Sequence, residues 1–100
     1  MERTKAELVI HEKLTSPKGL IRELSVWRLK VSERYPEGLK YRLVLADSTA
    51  SQVHLLYDNH WPKGHHVHRG DQEEPYLFKS MIETIREFRE QADIIERRLS

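Results

Sequence analysis

The chain contains no cysteine. That excludes a disulfide framework, a thiolate nucleophile and a thiolate metal site. It has no apolar run approaching the ~20 residues of a membrane span. Met1-Glu2-Arg3-Thr4-Lys5 leads straight into Ala6 to Ile10, without the apolar stretch of a signal peptide. A cytoplasmic protein with no membrane contact is expected. An excess of charge of one sign is missing too: the formal net charge is +1. The chain is therefore no polycation, and any contact with nucleic acid needs a locally basic surface. No repeat, low-complexity tract or linker divides the 100 residues, a length that suits one hydrophobic core and a single domain over residues 1–100.

What is present is a polar but foldable composition, 38% apolar and 33% charged, with short apolar runs between turn signals. Residues 7–14 are rich in strand formers, and Leu8, Ile10 and Leu14 share the parity of inward-facing positions. Ser16-Pro17-Lys18-Gly19 has the pattern of a type I turn, so a hairpin follows. In the second strand, residues 20–29, Leu20, Leu24 and Val26 face one way and Ile21, Trp27 and Leu29 the other, as in a central strand. Trp27 and Tyr41 read as core aromatics rather than base-stacking platforms. A loop containing Pro36-Glu37-Gly38 leads to a third strand over residues 40–45. Asp47-Ser48-Thr49-Ala50 reads as a turn before a fourth strand over residues 52–57, and residues 73–78 read as extended. Ser80-Met81-Ile82-Glu83 is a capping box, after which Met81, Ile85, Phe88, Ala92, Ile95 and Leu99 form one apolar stripe of a helix. The expected fold is α+β, a four-stranded antiparallel meander sheet packed against a long C-terminal helix. The alternative cover for the stripe is a second copy of the chain, giving a homodimer.

Chemistry concentrates between Tyr57 and Gly70, which holds four of the six histidines: His60, His65, His66 and His68. Lys63 and Arg69 add fixed positive charge, and Asp58, Asp71, Glu73 and Glu74 supply carboxylates. Three readings compete. The stretch is a solvated loop; or His66 and His68, pointing the same way on an extended segment, chelate a metal with His60 or Asp58; or it is a metal-free acid/base site for phosphodiester chemistry. RNA cleavage by its own 2′-hydroxyl needs a base, an acid and a cation facing the phosphorane, and imidazoles beside Lys63 and Arg69 supply them. His11 and His54, within strands, read as structural or surface histidines.

Several motifs together carry a family resemblance: Trp27-Arg28, Lys40-Tyr41-Arg42-Leu43, Tyr57-Asp58-Asn59-His60, Lys63-Gly64 and His66-Val67-His68, followed by Glu74, Tyr76 and Phe78. In these the chain resembles the TumE-type toxins of bacterial and archaeal toxin–antitoxin pairs, usually encoded beside a helix-turn-helix antitoxin. It departs from that pattern at His65, a position more often acidic, and in its longer helix. The resemblance implies a growth-inhibiting protein neutralised by a cognate antitoxin. Joined to the residue reading, it leads to the expectation of a metal-independent endoribonuclease acting on RNA, with neither metal nor cofactor. His66 and His68 are the acid/base candidates, His60 is a third imidazole, and Tyr57 donates to a phosphate oxygen. Lys63, Arg69 and Arg42 grip phosphate, and Asp58 holds a histidine in one tautomer. The alternative is a non-catalytic module that binds RNA or protein through the same surface.

Overall fold

A computed structural model describes residues 6–49 and 51–99. The N-terminal pentapeptide and Ala50, read from sequence as the end of a turn, lie outside the described residues. In chain order the elements are β1 (Glu7–Thr15), β2 (Leu20–Arg28), β3 (Leu39–Asp47), β4 (Val53–Asp58), β5 (His66–Arg69), β6 (Gln72–Pro75) and α1 (Met81–Arg98). The strands form one antiparallel meander in sequence order.

The α+β class and the helix stand as expected, but the sheet has six strands, not four. The two additional strands are the histidine stretch itself and the segment after it, joined through Gly70, whose φ is +60°. Their polar composition hid them. Val67 faces the core, whereas His66, itself buried, and the half-buried His68 point to the opposite face, so the alternation is present but written in histidine rather than in apolar residues.

Alternation also builds the core. Leu24 and Val26 of β2, Tyr41, Leu43 and Leu45 of β3, Leu55 and Tyr57 of β4, and Val67 of β5 turn to one face, where Phe88 and Ala92 of α1 meet them. Met81, Ile85 and Ile95 of the predicted stripe pack on the same cluster, while Leu99 stays 51% exposed. Ser80 caps the helix, its Oγ accepting from the Glu83 N–H at 3.1 Å. Glu83 does not complete the box, because its carboxylate takes Arg86 instead.

The helix lies over β3 and β4. A helix is about 10–12 Å across with its side chains, whereas six strands at about 4.8 Å spacing span roughly 24 Å, so one helix cannot cover the sheet. Strand β1 is left at the edge, and Leu8, Ile10 and Leu14, expected to face inward, are 51%, 37% and 54% exposed. A register shift between Leu8 and Ile10 also places these two on opposite faces. Among the described residues, the second face of the sheet carries no helix.

Candidate active site

Residues opposite one another on an antiparallel ladder share a face, so the register lays out the helix-free surface row by row. One row runs Ser25, Arg42, Asp58 and His66 across β2 to β5. The next runs Glu23, Val44, Leu56, His68 and Glu73 across β2 to β6. The Tyr-Asp-Asn-His motif is thereby divided among three directions. Tyr57 points into the core, its hydroxyl donating to Glu87 at 2.8 Å. Asp58 points to the helix-free face. Asn59, buried past the strand end, accepts from the Tyr41 N–H at 2.9 Å and donates to the Leu39 carbonyl at 2.8 Å, tying the loop to β3.

His66 is held from both sides. Its Nδ1 lies 2.7 Å from the Gly64 carbonyl. A carbonyl only accepts, so Nδ1 carries a proton. Its Nε2 lies 2.8 Å from Asp58 Oδ1. That contact is close but poorly aligned, and Asp58 Oδ1 is buried without a well-formed hydrogen bond; we therefore read it as electrostatic orientation of the ring. The His68 ring meets His66 edge-on at 4.7 Å between centroids, and its Nδ1 stands 3.8 Å from Glu73 Oε2. Lys63 donates to both Glu73 oxygens at 2.9 and 3.0 Å. These hydrogen bonds hold the Glu73 carboxyl below the usual carboxylate range, with added attraction from His68 and His66. His66, His68 and Glu73 each present a ligand atom within 4.8 Å of the others. The three could therefore hold a divalent transition ion, and a carbonyl on the other nitrogen of His66 is the outer contact that a ligating histidine makes.

Arg42 projects from the same face, exposed and in register with Asp58, and it makes no ion pair or hydrogen bond among the described residues. His60 is exposed in the loop after β4, and among the described residues its side chain makes no hydrogen bond, ion pair or ring contact with this group. Tyr57 and Arg69 lie elsewhere. Burial, then the Glu87 hydrogen bond, pushes the Tyr57 hydroxyl above its ordinary range, under the helix and with the sheet between it and the histidines. Arg69 shares that covered face through its register with Leu55 and donates to Glu74 at 3.2 Å. His65 is a packing residue. It stacks on Phe78 at 4.4 Å and on Tyr41 at 5.6 Å, with Nδ1 2.8 Å from the Tyr41 hydroxyl and Nε2 3.1 Å from Glu37. His11 pairs with Glu23 at 3.0 Å.

Sequence reasoning gave no individual role to Glu73 or to the Gly64 carbonyl. The two-residue spacing of His66 and His68 pointed to their common face, but the partner strand that brings Glu73 beside them had no apolar signature. A hollow of about 380 Å³ adjoins the cluster between Lys63, His66, Glu73 and Pro75. A larger one, about 660 Å³, lies at the other end of the molecule between the β1–β2 turn and the end of α1. It holds no histidine, and we place no chemistry there.

The motif residues Asp58, His66 and His68 thus meet on two adjacent strands, and a family model described as Toxin TumE matches residues 2–99. The chain belongs to the TumE toxin family. It is therefore the toxin component of a toxin–antitoxin module, which implies an antitoxin partner. No curated protein and no solved structure matches it. Among the described residues, no helix is long and apolar enough to cross a membrane.

Proposed function

We propose that this TumE toxin is a metal-independent endoribonuclease working on the helix-free sheet face. The observation that carries the reading is the pair of imidazoles at 4.7 Å, one of them oriented by Gly64 and Asp58, with Arg42 in the same row. One imidazole takes the proton of the RNA 2′-hydroxyl as its oxygen bonds to phosphorus. The other gives a proton to the departing 5′-oxygen as the P–O5′ bond breaks. The products are a 2′,3′-cyclic phosphate and a free 5′-hydroxyl. Asp58 positions His66. Arg42 and Lys63 face the charge that builds on the phosphorane oxygens. Lys63 is 61% exposed in its pair with Glu73, and so open a pair is weak enough for a phosphate to compete. His60 is close in sequence as a third imidazole. Tyr57 and Arg69 are not part of the reaction, because they lie on the covered face.

The partner in this reading is a helix-turn-helix antitoxin encoded by the adjacent gene. The test is expression in a bacterial host with and without that neighbour, reading growth and the integrity of total RNA. Growth arrest with fragmented RNA, both relieved by the neighbour, supports the proposal. Arrest with intact RNA would replace it with non-catalytic binding.

The convergence of His66, His68 and Glu73 favours one further reading, a bound transition metal. One equivalent retained by untagged protein through purification, and lost in His66→Ala or His68→Ala, would establish that reading in place of the metal-free one.

A further inference from the structure

Trp27 does not sit in the core. Its register partners are Leu8 on β1 and Lys40 on β3, which puts all three on the helix-free face, in the row next to Arg42, Asp58 and His66. The ring is partly exposed, and the Lys40 ammonium lies over it, 5.9 Å from the centroid. Among the described residues Lys40 makes no ion pair or hydrogen bond. Arg42, two residues along β3, makes none either, although Glu23 is within electrostatic reach of it. The acidic groups nearby are already engaged: Glu23 by His11, Asp58 by His66 and Glu73 by Lys63. An indole face with two unpaired cations beside it therefore leads along one surface to the two imidazoles.

We propose that this face binds single-stranded RNA, with one base stacked on Trp27 and the adjoining phosphates on Lys40 and Arg42. The choice of RNA among polyanions rests on the ribonuclease reading; the stacking platform rests on geometry alone. A sheet face free of any described helix, with a partly exposed ring, accepts a base by its π-face, whereas a duplex keeps those faces hidden. Lys40 holds the ring while the face is free and turns to the phosphate when a base arrives. From Trp27 to His66 is three strand spacings across and one two-residue step along, about 16 Å between backbones. An extended strand covers roughly twice the ~3.4 Å per nucleotide of a stacked one, so the stacked base lies two or three nucleotides from the scissile phosphate.

The probe is a short 2′-O-methyl oligoribonucleotide of mixed sequence, which cannot be cut because its nucleophile is blocked. In a Trp61→Phe background the remaining indole emission comes from Trp27, and the oligonucleotide should quench it on binding. Trp27→Leu should weaken binding roughly tenfold or more, while Trp27→Tyr, which keeps a ring, should restore most of it. Lys40→Ala and Arg42→Ala should each flatten the dependence of log affinity on log salt by about 0.7. Unchanged affinity in Trp27→Leu, unquenched emission at saturation, or equal binding of a duplex would overturn the proposal. Quenching without cleavage of the unmodified RNA would remove the ribonuclease reading and leave this one standing. Cleavage by Trp27→Leu with unchanged KM would do the reverse.

Discussion

His66 is tied to Gly64 and faces Asp58, whereas His68 packs against His66 and approaches Glu73. In the proposed reaction, removing either imidazole takes away one proton transfer. His66→Ala and His68→Ala should each lower the rate of RNA cleavage by roughly 10²–10⁴-fold, with circular dichroism showing the sheet intact. Tyr57 makes the opposite case. It is fully buried and its hydroxyl serves Glu87. Tyr57→Phe should lose roughly 1.5–3 kcal/mol of stability, the net worth of a hydrogen bond to a charged group, and leave cleavage unchanged. Chemical denaturation and the cleavage assay on the same preparation separate the two effects. Tyr57 also marks a limit of linear reading. Neighbours in a strand point to opposite faces, so adjacency to Asp58 in sequence places its hydroxyl on the wrong side for the site.

At the scale of elements, the strands with apolar alternation and the helix with its stripe were legible from sequence, and the β5–β6 hairpin was not. Residues 20–29 and 40–45 carry Leu24, Val26, Tyr41 and Leu43, which the core takes up as their parity demands. The face of the hairpin away from the helix is lined by histidine and glutamate, with His66 buried and His68 half-buried, so periodicity in hydrophobicity could not find it. The spacing of His66 and His68 still fixed their common face. Phe88 joins the helix to that core at 0% exposure, and Phe88→Ala should cost about 3–5 kcal/mol in denaturant unfolding. The turn between β3 and β4 depends on Asp47, which accepts from the Ser51 hydroxyl at 2.6 Å and from the Ser51 and Gln52 N–H groups at 2.8 and 3.3 Å. The Ser51 hydroxyl, followed by those backbone donors, holds its carboxyl below the ordinary value of 3.8. A depressed carboxylate contributes stability above its unfolded pKa and loses it as pH falls through the folded one. Thermal unfolding followed from pH 5 to 2.5 should therefore show Tm falling below about pH 4, with a smaller fall in Asp47→Ala. An identical fall in that variant would remove Asp47 from the acid response.

The whole molecule is two layers, and its asymmetry separates stability from chemistry. One sheet face is closed by α1 over Tyr41, Leu43, Leu55 and Tyr57, while the other, free of any described helix, holds Arg42, Asp58, His66 and His68 in two adjoining rows, with His66 itself buried. Substitutions on the helix-free face should therefore alter activity with little change in fold, and those beneath the helix the reverse. In the proposed reaction the helix-free face cuts RNA through two imidazoles without a metal. Its most direct test compares wild-type protein with the His66→Ala/His68→Ala double variant on a structured RNA and its DNA counterpart, in excess EDTA. The wild type should give RNA fragments ending in 2′,3′-cyclic phosphate and leave DNA intact, and the double variant should give no fragments. Cleavage abolished by EDTA, or equal cleavage by the double variant, would contradict it.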